Sequence, residues 1–510
     1  MTLKIIDLFA GPGGLGEGFA SLDEGGIFKI AVSAEMESSA HETLMLRSYF
    51  RHVRGDTAAL NAYYAFCNSG HVHPRDLFPK AWAVATNEAR RLTLGKPEDN
   101  AHLDEIITSC KLKEEDTILI GGPPCQAYSL VGRSRNMGKP NYVAEEDHRH
   151  FLYKEYLRIL HMAKPAVFIM ENVKGILSSR VGGKLVFHDI LRDLTDPGKA
   201  LGKGTGIQYT IHSFVVPVNF KPGMDPASID PRDFIIHAER YGIPQARHRV
   251  IFLGVREDLK YDGKHLLTEA PQLNVKHALH GLPRLRSKLG RDDGPEQWRD
   301  AVVKLGRDLA ADAWRQKEAA LAAGLAAAAG DISRTLDTGA LRHPKRAASE
   351  GTTEYQKWVR DSELHVWLNH ETRSHMTSDL GRYLYAAVFA NQRGYSPKGH
   401  EEFALKGLAP EHANWESGKF ADRFRVQRYE SPSTTVTSHI SKDGHYFIHP
   451  DPAQCRSQTV REAARLQTFP DNYFFQGNRT QQYHQVGNAV PSLLANRIAQ
   501  IVKRILGSDS

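Results

Sequence analysis

Short apolar runs recur along the first half of the chain, each leading into a loop that carries glycine or an acidic side chain. Ile5–Phe9, Ile30–Ala34, Thr117–Ile120, Ala166–Met170, Tyr209–Val216 and Arg249–Gly254 have the length and the β-branched or aromatic content of buried strands. Helical spacing appears between them, as in Leu152, Tyr156, Ile159 and Leu160. Strands alternating with helices predict an α/β domain built on a mostly parallel sheet. The rhythm stops near residue 257. Residues 301–328 are alanine-rich and predicted helical, with Leu305/Leu309 and Leu321/Leu325 four residues apart. Thr434–His439 and His445–His449, joined through Lys442-Asp-Gly444, read as a hairpin. Order returns at Thr459-Val-Arg-Glu462, a capping box opening a helix, and after Pro491, where Leu494, Ile498, Ile501, Val502 and Ile505 form one apolar face ending at Gly507. The pattern divides the chain into 1–256, 257–455 and 456–510, with 58–115 read as a helical insertion and 217–234 as a second, Pro/Asp-containing one.

The candidate chemistry lies where the apolar runs end, as expected for an open α/β sheet. After the first run, Gly11, Gly13 and Gly16 satisfy GxGxxG, and Glu35 closes the second run. A tight strand-to-helix turn plus an acid at the end of strand two suits a nucleoside-containing cofactor: the turn admits a ligand against the backbone and the acid bonds ribose hydroxyls. NAD, FAD and S-adenosylmethionine all meet that description. Asp56, in Arg54-Gly-Asp-Thr57, is a candidate third acid or a simple turn aspartate. The run at 117–120 enters Gly121-Gly-Pro-Pro-Cys-Gln-Ala-Tyr-Ser129, where two prolines stiffen the approach to Cys125. A lone thiol is either a small buried hydrophobe or a nucleophile, and the loop alone leaves both open. Glu171-Asn-Val173 ends the run at 166–170. Arg247 and Arg249 alternate beside the last strand, so an extended backbone turns both to one face.

Composition narrows the class. With 41% hydrophobic and 25% charged residues the chain is ordinary for a soluble globular protein, and 510 residues suffice for two or more domains. No run is long enough to span a membrane, and the chain enters a strand at once without a signal peptide, so a cytoplasmic location is expected. The four cysteines are far apart and contain no CxxC pair, which offers neither a disulfide framework nor a metal site. A net charge of +7 suits a polyanionic partner such as nucleic acid.

The set of motifs resembles the DNA (cytosine-5) methyltransferase family, of the prokaryotic restriction-modification type. The resemblance rests on Asp7-Leu-Phe-Ala-Gly-Pro-Gly-Gly14, Pro123-Pro-Cys-Gln-Ala-Tyr-Ser129, Glu171-Asn-Val173, Gln245-Ala-Arg-His-Arg249, Arg461-Glu-Ala-Ala-Arg-Leu-Gln-Thr-Phe-Pro-Asp471 and Gly487-Asn-Ala-Val490, in the family's order. It implies an S-adenosylmethionine-dependent methyltransferase fold, Rossmann-like, with a target-recognition domain inserted at 257–455. It places Phe9, Gly11, Gly14, Leu15, Glu35, Met36, Asp56 and Asn488 around the cofactor, with Leu152 nearby. Met36 stands where many members carry an aromatic. The implied catalytic set is Cys125 as nucleophile toward cytosine C6, Glu171 at N3, Arg249 at O2 and Arg247 fixing the loop or the DNA backbone. The base must be flipped out of duplex DNA to meet them, gripped by the basic loop 133–139 and the 257–455 segment. Further expectations are a monomer, no metal, and a cognate restriction endonuclease acting on the same site. A nicotinamide- or flavin-dependent oxidoreductase explains only GxGxxG and Glu35. A tRNA cytosine methyltransferase would share the catalytic motifs but not the long basic insert.

Overall fold

The computed structural model describes residues 2–124, 148–181, 183–290, 292–345, 352–411, 415 and 422–507. Cys125 and the basic loop 133–139 lie outside them. Nine strands form the central sheet: β1 (Leu3–Leu8), β2 (Phe28–Glu35), β3 (Ala89–Arg91), β4 (Thr117–Gly121), β5 (Val167–Val173), β6 (Tyr209–His212), β7 (Asn219–Phe220), β8 (Ile235–His237) and β9 (His248–Arg256). Their order is β3-β2-β1-β4-β5-β9-β6-β7, with β8 also on β9. The first five strands are mutually parallel, whereas β9 runs antiparallel to β5 and β6. The α/β reading of the sequence holds.

Alternation along each strand explains why the runs are almost wholly apolar. In β4, Ile118 and Ile120 enter one core while Leu119 enters the other; in β5, Val167 and Ile169 oppose Phe168 and Met170. Period-two side chains with helices on both faces leave no solvated side. One face is covered by Gly14–Ala20 and by the final helix Ser492–Ile505. The other is covered by Pro97–Ser109, His148–Ala163 and Val186–Thr195. The C-terminal segment therefore returns to the sheet of the N-terminal half. The contact is close: a Cβ on Gly18 would lie 2.3 Å from the Ala495 Cβ, and the Asn496 amide donates to the Gly18 carbonyl at 2.9 Å.

Two local readings change. The stretch 58–115 is not purely helical, because β3 sits in its middle and pairs in parallel with β2. At three residues, with two arginines, β3 carries no apolar run to betray it. The hairpin at 434–449 does not form either. Ser433–Thr434 pairs in parallel with Gln245–Ala246, and Ser438–Ser441 and His445–Phe447 are short 3-10 turns. The alternation of Thr and Val there records a bridge to the stretch before β9.

The alanine-rich segment folds as Pro295–Arg315 and Ala319–Gly330, which pack with Thr377–Arg393 around a separate core containing Trp298, Leu325 and Leu384. The capping box at Thr459 and Glu462 is present and opens Val460–Leu466. Buried arginines knit this region: Arg465 pairs with Asp471 at 2.8 Å and Arg456 with Glu462 at 2.7 Å. Among the described residues no helix is long and apolar enough to cross a membrane.

Candidate active site

A cavity of about 630 Å³ opens at the carboxyl ends of β1, β2, β4 and β5. Its near end is the glycine turn. Phe9 leaves β1 with φ +56°, and Gly11 and Gly13 follow at +58° and +96°, left-handed values that glycine adopts without strain. A Cβ on Gly11 would meet nothing within 4 Å, so this backbone faces open space. A Cβ on Gly14 would lie 2.4 Å from the Val490 carbonyl oxygen, so this glycine is required by packing against the C-terminal segment. Glu35, at the end of β2, accepts from the Gly11 N–H at 2.8 Å and the Glu37 N–H at 2.7 Å. Burial pushes its carboxyl above the ordinary value, against those two donors. Phe9, Leu15, Leu152 and Asn488 also line this end, and Met36, 59% exposed, lies on the rim.

Asp7, the first residue of the Asp7–Gly14 motif, also lines the cavity. It is fully buried, and burial first, then Glu88 and Glu35, pushes its carboxyl up to about 8 despite Arg51. Its Oδ2 has no hydrogen-bond partner among the described residues, and a Cβ on Gly16 would come within 2.7 Å of it.

The far end of the same cavity holds the polar set. Gly122, Pro123 and Pro124 line it and lead directly into Cys125. Glu171 pairs with Arg249, Nε to Oε1 at 2.8 Å, with side chains 14% and 15% exposed. The register brings them together: on antiparallel β5 and β9, Glu171 faces Ile251 and Arg249 faces Val173, so the two are diagonal neighbours on one face. Gly122 leaves space for this carboxylate, since a Cβ there would lie 3.0 Å from Glu171 Oε2. Arg247 also reaches the cavity, but as a tie. Its Nη1 donates to the Val436 carbonyl at 2.8 Å and the Gly487 carbonyl at 3.3 Å. Burial, with Arg249 adding to it, lowers its basicity well below the ordinary value. Gln245 supports the same junction through the Leu466 carbonyl at 3.1 Å and the Val436 N–H at 2.7 Å.

Gly14 and Asp56 are the two proposed cofactor residues that do not line the cavity, and Asp56 has another task. It caps Thr57–Ser69, accepting from the Ala58 and Ala59 N–H groups at 3.0 and 3.1 Å. The third strand ends some 35 residues later, and Leu92 and Leu94 just beyond it supply that wall. Asp56→Ala is thus expected to lower stability by about 1 kcal/mol through the lost cap. Cofactor affinity should not change; thermal unfolding and a ligand titration on the same variant separate the two effects. Thr437, Ser438, Thr480 and His484 complete the wall and were missed, because they come from turns and a helix without a motif of their own.

A family model described as C-5 cytosine-specific DNA methylase matches residues 80–201 and 232–504. The chain belongs to this family. A type II methyltransferase of Bacillus paralicheniformis, M.Bpa9945I, is 31% identical over 98% of this chain and 99% of its own length. M.AgeI of Thalassovita gelatinovora, also a type II methyltransferase, is 26% identical over 98% and 99%. A solved prophage-encoded DNA modification methyltransferase of E. coli shares the fold, with a TM-score of 0.54 at 19% identity over 99% of both chains. The protein is accordingly a DNA (cytosine-5-)-methyltransferase, related over its full length to the bacterial restriction-modification enzymes.

Proposed function

We propose that this methyltransferase binds S-adenosylmethionine at the glycine-turn end of the cavity and methylates C5 of a cytosine flipped out of duplex DNA into the Glu171–Arg249 end. One observation carries this reading: Glu35 with Gly11, and Glu171 with Arg249, line a single cavity, with Glu35 on β2 and Glu171 on β5 separated by β1 and β4. The volume suits an enclosed ligand. Gly11 leaves its backbone uncovered, and the Glu35 carboxylate can exchange its backbone donors for ribose hydroxyls. When bound, S-adenosylmethionine supplies an electrophilic methyl group on a sulfonium sulfur.

The protein's task is to make cytosine C5 nucleophilic. The Cys125 thiolate adds to C6, placing an electron pair in the enamine that includes C5. Glu171 delivers a proton to N3, neutralising charge that develops there as the sulfur adds. Arg249 donates to O2 and holds the ring against both groups. Arg247 ties the loop at 436 to the turn at 487 and keeps the strand carrying Arg249 in place. Cys125 leaves by β-elimination once C5 has gained the methyl group and lost its proton to water, and N3 returns its proton to Glu171. The 257–455 segment then reads a short DNA sequence, and methylation of that sequence protects it from a cognate endonuclease.

The test is transfer of labelled methyl from S-adenosylmethionine to duplex DNA, with nucleoside analysis of the product. 5-Methyldeoxycytidine is expected, with transfer RNA left unlabelled; label on tRNA alone would overturn the proposal. Glu35→Ala should raise the KM for S-adenosylmethionine about 10- to 100-fold, the equivalent of charge-assisted hydrogen bonds, and change kcat little.

A further inference from the structure

We propose that His237, Glu239 and His248 form a binding site for one transition-metal dication of the Zn²⁺ class, independent of the methyl-transfer cavity. His237 and His248 are directly opposed on antiparallel β8 and β9, which puts both imidazoles on one face of the sheet. Glu239 follows in the 3-10 turn Ala238–Arg240. His248 lies between Arg247 and Arg249, yet those two line the cavity and it does not, as alternation requires.

The three ligand atoms converge. His237 Nδ1 is 3.1 Å from His248 Nε2, His248 Nε2 is 2.8 Å from Glu239 Oε1, and His237 Nδ1 is 3.8 Å from the same oxygen. Tetrahedral zinc with bonds of about 2.0–2.2 Å sets its ligand atoms about 3.3 Å apart, the middle of that range. Hydrogen bonding alone serves the cluster poorly: His248 Nε2 faces two neighbours and has at most one hydrogen to share between them. A cation at the centre takes a lone pair from all three at once. Glu239 Oε2 supplies a second indication, for it is buried without a hydrogen-bond partner among the described residues and is free to complete a bidentate carboxylate. The side chains are 38%, 17% and 32% exposed, so the site has an open position reachable from solvent. Two imidazoles and one carboxylate favour zinc, cobalt, nickel or copper over calcium or magnesium. No sequence pattern announces the set, because strand pairing across eleven positions joins the two histidines.

Such an ion clamps β9, which carries Arg249, to the turn after β8. The test uses the full chain, stripped with a chelator and titrated with Zn²⁺ or Co²⁺ alone. One equivalent of Zn²⁺ should bind saturably and raise the thermal midpoint. Co²⁺ should give the intense visible bands of a four-coordinate site with no thiolate charge-transfer band. His237→Ala and Glu239→Gln should each weaken binding about 100-fold, since loss of a supporting group alone costs about 10- to 100-fold. His71→Ala, an exposed histidine elsewhere, should bind as the wild type does. No saturable uptake by the wild type, unchanged uptake in both cluster variants, or a weak octahedral Co²⁺ spectrum would each overturn the proposal.

Discussion

Cys125→Ser should lower single-turnover methyl transfer by about 10⁵-fold, the scale seen when an enzyme loses its nucleophile. Serine replaces sulfur by oxygen at nearly constant shape, so the variant tests chemistry rather than packing. A thiolate is accessible near neutral pH and adds to an electron-poor double bond, whereas the serine hydroxyl stays protonated and adds poorly. The cavity predicts a second property of this variant. The substitution leaves Glu35 and Gly11 unchanged, so S-adenosylmethionine affinity should stay within about twofold of wild type. A Cys125→Ser enzyme with ordinary turnover would remove the thiol from the mechanism.

The next largest loss belongs to Glu171. Glu171→Gln retains shape and can still bond the cytosine edge, but it cannot give up a proton at N3. General acid catalysis contributes about 10²- to 10⁴-fold, and kcat should fall by that amount with little change in DNA affinity. The substitution also removes the charge that holds Arg249, whose Nε lies 2.8 Å from Glu171 Oε1. Arg249→Lys should therefore not substitute for arginine, because a point charge lacks the planar fork that can hold Glu171 and O2 together. Single-turnover kinetics against binding titrations on the same DNA separate the two effects. A Glu171→Gln enzyme that loses DNA binding and keeps its rate constant would assign this carboxylate to docking instead.

The parts of this molecule legible in the sequence are those where one strand is apolar on both faces. Such runs gave six of the nine strands, and the residues at their ends, Gly11, Glu35, Glu171 and Arg249, all reach one cavity. What failed is equally physical. β3 spans only Ala89–Arg91 at the sheet edge, so no apolar run marks it, and Asp56, a candidate third acid in the sequence, is a helix cap instead. A helix cap and a ligand-binding acid look alike in sequence, since both are an aspartate before a helix. Asp7 was hidden in another way: its position in the first motif is plain, but the raised pKa comes from full burial and from Glu88 and Glu35, working against Arg51, and no local pattern connects these to it. The 434–449 alternation was read as self-pairing, while the partner strand, Gln245–Ala246, lies almost 190 residues earlier.

The central claim is a covalent bond between Cys125 and cytosine C6 on the way to C5 methylation. It is tested most directly with duplex DNA carrying 5-fluorocytosine, incubated with the wild-type chain and S-adenosylmethionine. Fluorine at C5 cannot leave as the proton does, so elimination stops and the thioether persists. The account predicts a denaturation-resistant protein–DNA adduct that requires the cofactor, maps by peptide analysis to Cys125, and is absent from Cys125→Ser. Rapid methylation of ordinary cytosine at a sequence whose 5-fluorocytosine form gives no adduct, or an adduct mapping to another residue, would contradict it.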